Sequence, residues 1–298
     1  MPATIRPRRS VLFMPGANAR ALAKSRELPA DGLIFDLEDA VAPDAKAAAR
    51  AAVGAAVGEG GYGRRELVLR VNPLDSEWGE ADLEAAARMP IDAVLLPKVE
   101  SAARAAEAAS RLPARIAVWC MIETPLGILN SREIAAAPRV AALVMGTSDL
   151  TADLHARVTP DRAPLIPALA FALLAARAYG LAALDGVHLD LADDAGFVAL
   201  CRQGRAMGFD GKTLIHPKQI AAANEAFAPS DEEIAAARKI IAAHREAMAA
   251  GKGIVVVDGR LVENLHVAAA ERTLALAEAI ENQNHHRDTA DTEFKKAP

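Results

Sequence analysis

Ile116-Ala117-Val118-Trp119-Cys120-Met121-Ile122-Glu123-Thr124-Pro125 is the stretch whose reading decides the fold. Its seven unbroken apolar residues suit a strand buried on both faces. The run stops at a carboxylate, and the Thr-Pro that follows cannot continue a regular ladder. The design recurs in Ala141-Ala142-Leu143-Val144-Met145-Gly146, followed by Thr147-Ser148-Asp149. Two strands of the buried type thus each deliver one acid at the C-terminal end. In a parallel barrel those ends share one face, which would bring Glu123 and Asp149 together. Two hard oxygen ligands with room for water and substrate oxygens suit Mg²⁺. The alternative is that each acid is an ordinary loop carboxylate.

Working outward, short apolar runs recur at residues 11–14, 32–35, 67–71, 93–96, 116–122, 142–145, 182–187 and 212–215. Between most of them lie Ala-rich segments with helical spacing, such as 82–88, 101–111 and 195–207. Strand and helix in alternation mean parallel βαβ units, and eight of them predict an α/β (β/α)₈ TIM barrel over residues 1–228. The rival is a doubly wound open sheet. It lacks support, because no Gly-x-Gly-x-x-Gly turn follows the first run and no P-loop occurs. Helical spacing resumes at 218–227 and 230–250, the latter behind a capping box of Ser230 and Glu233. Gly251-Lys252-Gly253 reads as a break, 254–257 as an apolar run, Asp258-Gly259 as a turn and 261–280 as mostly helix. Residues 229–282 therefore read as a C-terminal arm or lid. The polar stretch 283–298 reads as a disordered tail.

A hydrophobic share of 52% over 298 residues is ample for one large core plus an arm. A net charge of −5 with no basic block excludes a nucleic-acid groove. No apolar run reaches the ~18 residues of a membrane span, and the apolar part of the N-terminus is too short for a signal peptide. Cys120 and Cys201 fall in strand and helix patterns, as buried thiols do. The expectation is a cytoplasmic protein without disulfides.

Ligands of such barrels bind at the C-terminal rim, so the residue after each strand matters most. There the chain supplies Asp36-Leu37-Glu38-Asp39, Arg70, Lys98, Glu123, Asp149, Asp185 and His216. Rim acids suit a cation, while Arg70 suits a substrate carboxylate gripped by a bidentate fork. An arginine buried at a strand end without a partner is expensive, which argues for a ligand there. Plainer readings exist for the others. Asp36, Glu38 and Asp39 can cap the next helix, Lys98 can be the ion-pair partner of the acids, Asp185 can be a core-lining acid hydrogen-bonded within the rim, and His216 can satisfy backbone groups before Pro217.

Taken together, the motifs resemble the CitE family of citrate lyase β subunits, CitE-like proteins, and malyl-CoA and citramalyl-CoA lyases. They are Arg9-Ser10-Val11-Leu12-Phe13-Met14-Pro15-Gly16, Asp36-Leu37-Glu38-Asp39-Ala40-Val41-Ala42-Pro43 with Lys46 and Arg50, Leu69-Arg70-Val71-Asn72, Leu96-Pro97-Lys98, Ile122-Glu123-Thr124-Pro125, Gly146-Thr147-Ser148-Asp149 and Gly211-Lys212-Thr213-Leu214-Ile215-His216-Pro217. The resemblance implies a barrel of the HpcH/HpaI type in a homotrimer or a hexamer of trimers. It implies Mg²⁺ on Glu123 and Asp149, and Arg70 on the carboxylate of a 2-oxo acid. Phe13, Arg20, Lys24, Ile215 and His216 match positions that hold the CoA thioester. One departure stands out. The family carries a C-terminal aspartate that acts in a neighbouring subunit's site, and Glu263 replaces it within Gly259-Arg260-Leu261-Val262-Glu263-Asn264. The implied activity is carbon–carbon cleavage of a malyl- or citramalyl-CoA-type thioester. Alternatives are a citrate lyase β subunit working with an acyl-carrier protein, a malate-synthase-like condensation, and a non-catalytic CoA-thioester binding protein.

Overall fold

In the computed structural model, which describes residues 5–251 and 255–294, eight parallel strands close into a barrel. They are β1 (Ser10–Pro15), β2 (Gly32–Asp36), β3 (Glu66–Arg70), β4 (Ala93–Leu96), β5 (Ala117–Ile122), β6 (Val140–Met145), β7 (Ala182–Asp185) and β8 (Gly211–Leu214). Each pairs with the next, and β1 also pairs with β8 through Val11 and Thr213, so no edge is left. Strand β5 shows why its run had to be apolar throughout. Trp119 and Met121 point into the barrel with Val68, Leu95, Val144 and Leu184, while Val118, Cys120 and Ile122 face the helices. Both sides are dry, so period-2 alternation in polarity disappears. Cys120 and Cys201 are buried free thiols.

Ion pairs gather at the N-terminal end of the barrel. Arg8, just before β1, donates to both carboxylate oxygens of Glu66 at the start of β3, at 2.6 and 2.8 Å. Its guanidinium also lies 5.5 Å from the centre of the fully buried Trp119 ring. Beside it Arg9 holds Asp31 by a second buried fork, both side-chain bonds being 2.8 Å. A cleft lies at the opposite rim. There the Thr-Pro that stops β5 starts the helix Pro125–Leu129: Thr124 accepts from the Gly127 amide at 3.0 Å, and Pro125 takes the first turn, where its missing N–H costs nothing.

A buried charge network ties the last two strands to the rim. Asp185 of β7 accepts from Lys212 Nζ of β8 at 2.9 Å and from Arg162 Nη1 at 2.7 Å, and all three side chains are buried. Asp185 points outward, under Gly204 of the helix Asp194–Met207, where a Cβ would stand 2.8 Å from its oxygen. It is thus committed to packing under a helix rather than to the rim face.

The chain divides into two compact units, Arg8–Phe227 and a second that takes over from Ala228. The second unit holds a helix, Asp231–Ala249, started by the capping box: Ser230 Oγ accepts from the Glu233 amide at 3.2 Å and Glu233 accepts from the Ser230 amide at 2.7 Å. Then β9 (Val255–Val257) and β10 (Arg260–Val262) form an antiparallel hairpin around Asp258-Gly259, both at positive φ (50° and 75°). The sequence reading placed residues 261 and 262 in a helix. The Asp-Gly turn instead reverses the chain, and the final helix, Asn264–Phe294, begins only after it. That helix runs into the polar stretch from 283 that composition had marked as tail. Lys252 and Gly253 of the expected break lie outside the described residues. Among the described residues no helix is long and apolar enough to cross a membrane.

Candidate active site

A cleft of about 390 Å³ opens at the C-terminal rim. Its wall is built strand by strand: Phe13 from β1, Asp36 from β2, Arg70 from β3, Met121 and then Glu123 from β5, Met145 to Asp149 from β6 onward, and Ile215 after β8. The two acids that the strand ends were expected to bring together line this one cleft.

Glu123 is only 3% exposed. Burial pushes its carboxyl up to about 7, and the charge of Asp149 pushes the same way. The Lys98 amide, bonded to Glu123 Oε1 at 2.7 Å, and the charges of Arg70 and Lys98 only partly oppose the rise. Lys98 sits at φ 47°, a left-handed conformation costly for a residue with a side chain. The turn aims its amide at Glu123 while its ammonium lies 3.5 Å from Asp149 Oδ1. Lysine here is a partner of both acids. The pair fits a hard divalent cation: the donors are carboxylate oxygens, and their mutual repulsion and the burial of Glu123 are relieved by positive charge. Among the described residues no group of three or more acids, histidines or cysteines is arranged to hold a metal, so the remaining ligands would be water or substrate.

Gly146 makes room for this arrangement. A Cβ there would meet Glu123 Cβ at 2.3 Å and Glu123 Oε2 at 2.4 Å. We expect Gly146→Ala to displace the carboxylate and cost on the order of 10²-fold in turnover and in divalent-cation affinity, with little change in circular dichroism. An alanine variant with wild-type cation affinity, measured by calorimetry, would contradict this packing argument.

Arg70 is held more tightly than its position in the sequence suggested. Its Nε and Nη2 form a fork on Asp36 at 2.7 and 2.6 Å. Nη1 lies 2.7 Å from Glu38 Oε2 and 3.3 Å from Asp39 Oδ2. The Phe13 ring centre is 4.9 Å from the guanidinium carbon. The partner required by burial is therefore supplied by the Asp-Leu-Glu-Asp segment itself, and Arg70 stays fully charged despite desolvation. Glu38, 7% exposed, is raised to about 7 by burial, with Arg70 opposing and Asp39, Glu123 and Asp36 adding to the rise.

The remaining expected residues divide. Phe13 and Ile215 line the cleft. Arg20 and Lys24 are exposed on the short helix Ala19–Lys24 and do not appear in the cleft wall. His216 is exposed and caps the turn Pro217–Gln219, its Nδ1 accepting from the Lys218 amide at 3.2 Å. Glu263 belongs to the second unit, where it is exposed beside the start of the last helix and its amide donates to His266 Nδ1 at 3.0 Å. Asp36 and Lys98 were visible as rim residues, but their roles as clamp and backbone donor were not. A second cavity of about 820 Å³, rimmed by His155, Arg162 and His188, shares Thr147, Ser148, Val187 and Leu189 with the cleft.

Comparison with known proteins agrees with this architecture. Residues 9–217 match the family described as HpcH/HpaI aldolase/citrate lyase. A (3S)-malyl-CoA thioesterase of Cereibacter sphaeroides is 52% identical over 274 residues, covering 92% of this chain and 96% of its own. The citrate lyase subunit beta of Escherichia coli is 38% identical over 284 residues, covering 92% and 94%. The crystal structure of CitE from Mycobacterium tuberculosis, in complex with magnesium, acetoacetate and coenzyme A, superposes with a TM-score of 0.76 at 35% identity, covering 91% of this chain and 98% of that one. With that coverage and this barrel, the chain belongs to the HpcH/HpaI aldolase/citrate lyase family.

Proposed function

We propose that this protein is a Mg²⁺-dependent carbon–carbon lyase acting on a CoA thioester of the malyl or citramalyl type, releasing a 2-oxo acid and an acyl-CoA. The observation that carries the reading is the buried Glu123 beside Asp149 in one cleft with Arg70. This equipment serves the hydroxy-acid end of such a substrate, next to the bond that breaks. Glu123 and Asp149 would hold Mg²⁺, which when bound supplies Lewis-acid polarisation at the substrate's hydroxyl oxygen. The Lys98 amide keeps Glu123 in position. Arg70 orients the substrate carboxylate through Nη1, its other two nitrogens being engaged by Asp36. The bond between the hydroxyl-bearing carbon and the carbon α to the thioester breaks, and its electron pair goes to the α-carbon. The hydroxyl proton leaves, and a proton arrives at the α-carbon. Glu263, donated by a neighbouring chain in a homotrimer or hexamer, is the proposed proton carrier. Phe13, Arg20, Lys24, Ile215 and His216 are the proposed contacts of the CoA portion, in a cytoplasmic enzyme.

Hydrolysis of the same thioester is the second reading. It is favoured by the 52% identity to a protein named (3S)-malyl-CoA thioesterase and by Glu263 standing where the family aspartate was expected. One assay separates the readings. Malyl-CoA, citramalyl-CoA and a citryl thioester on CoA or on an acyl-carrier protein are incubated with and without Mg²⁺. Cleavage yields a 2-oxo acid and no free thiol, whereas hydrolysis yields a free thiol and no 2-oxo acid. Metal-independent turnover, or none with any thioester, would sink the proposal.

A further inference from the structure

Resting on the reading of Arg70 as the carboxylate anchor, we propose that Glu38 is a placeholder: it pairs with Nη1 of Arg70, the nitrogen outside the Asp36 fork, until a substrate carboxylate displaces it, and so restricts that position to anions. The argument begins with the unequal quality of Arg70's contacts. Asp36 takes Nε and Nη2 in a well-formed fork. Nη1 is served only loosely. Asp39 reaches it at 3.3 Å from a side chain 69% exposed, and Met121 Sδ lies at 4.0 Å. Glu38 Oε2 comes within 2.7 Å, yet this buried oxygen makes no hydrogen bond to any group. Charge attraction without hydrogen-bond geometry is what a displaceable partner offers; Asp36 supplies the permanent one.

Selectivity follows from the exchange. An incoming carboxylate takes the place of the Glu38 carboxyl at Nη1, and the guanidinium remains paired. A neutral amide or ester at the same place would leave Arg70 short of the partner it gave up. Glu38 is thus a specificity-determining residue that acts through Arg70.

The test is calorimetric and uses oxaloacetate and its amide analogue as probes, with the Mg²⁺-loaded full-length protein. Removing the competing charge in Glu38→Gln should tighten oxaloacetate binding by about fivefold or more. The preference for the acid over the amide should shrink by a similar factor, and in turnover the effect should fall on KM rather than kcat. Asp39→Asn should move affinity the same way by a smaller factor, which keeps the idea testable if the first variant does not fold. Oxaloacetate affinity unchanged or weakened in a folded Glu38→Gln protein, or weakened by Asp39→Asn, would overturn the placeholder while leaving the anchor intact. Failure of oxaloacetate to bind wild type and both variants alike would overturn the anchor as well.

Discussion

Glu123→Gln is expected to lower kcat/KM at saturating Mg²⁺ by at least about 10³-fold, because a Lewis acid contributes several kcal/mol and each ~1.4 kcal/mol is tenfold. The same substitution should stabilise the protein when divalent ions are removed. Burial lifts the Glu123 carboxyl from 4.5 to about 7. A carboxyl with a raised folded value favours the folded state while protonated. Stability is then lost as pH climbs from the unfolded value through about 7, by roughly 3 kcal/mol for a shift of this size. Glutamine carries no such penalty. In chelator at pH 8 the variant should therefore melt above wild type, with the difference vanishing near pH 4. Mg²⁺ competes with the same proton, so the apparent Mg²⁺ affinity of wild type should fall by up to about tenfold per unit below pH 7. Differential scanning calorimetry across pH, with and without Mg²⁺, checks all three. Equal melting of wild type and variant in chelator at pH 8 would mean that Glu123 is not a strained acid awaiting a cation.

Asp185→Ala should be strongly destabilising. It leaves the Lys212 ammonium, 0% exposed, without its carboxylate, and breaking a buried pair on one side costs about 3–5 kcal/mol. For a unit of this size that corresponds to a fall of roughly 10 °C in Tm. Adding Lys212→Met to Asp185→Ala should recover part of the loss, because the stranded charge goes with it. Burial alone would raise the Asp185 carboxyl, but Lys212 and Arg162 outweigh it and hold the group below its ordinary range. Its contribution is consequently complete above the usual carboxylate range and is lost only as acid takes the pH below that. The Asp185→Ala deficit should be flat between pH 6 and 8, in contrast to the Glu123 effect. A Tm within 2 °C of wild type would refute the assignment of this network as a structural tie.

The barrel was legible because its strands have two dry faces, so apolar runs mark them without any need for periodicity. The run at 116–122 became β5, Ala117–Ile122, and the acids at the ends of two such runs do share a cleft. What the sequence hid was pairing at a distance. Asp36 lies 34 residues before Arg70, and nothing local says that its carboxylate forks that guanidinium. Lys98 was readable as a charge but not as a left-handed residue whose amide fixes Glu123. Asp185 lies within the apolar run 182–187, which leaves it readable either as a rim acid or as a core-lining acid hydrogen-bonded within the rim. The pleat turns it to the helix side instead, where Lys212 and Arg162 neutralise it. In the second unit, the two-residue turn at Asp258-Gly259 overrode helical spacing at 261 and 262, since positive φ at both positions commits the chain to a hairpin.

Arg8, Glu66 and Trp119 pack together at the base of the barrel, at the end opposite the cleft. On the proposed reading, a 2-oxo acid held by Arg70 would lie deeper in the cleft than the acyl-CoA formed with it. Steady-state product inhibition should then display ordered exit, with the acyl-CoA leaving first and the 2-oxo acid second.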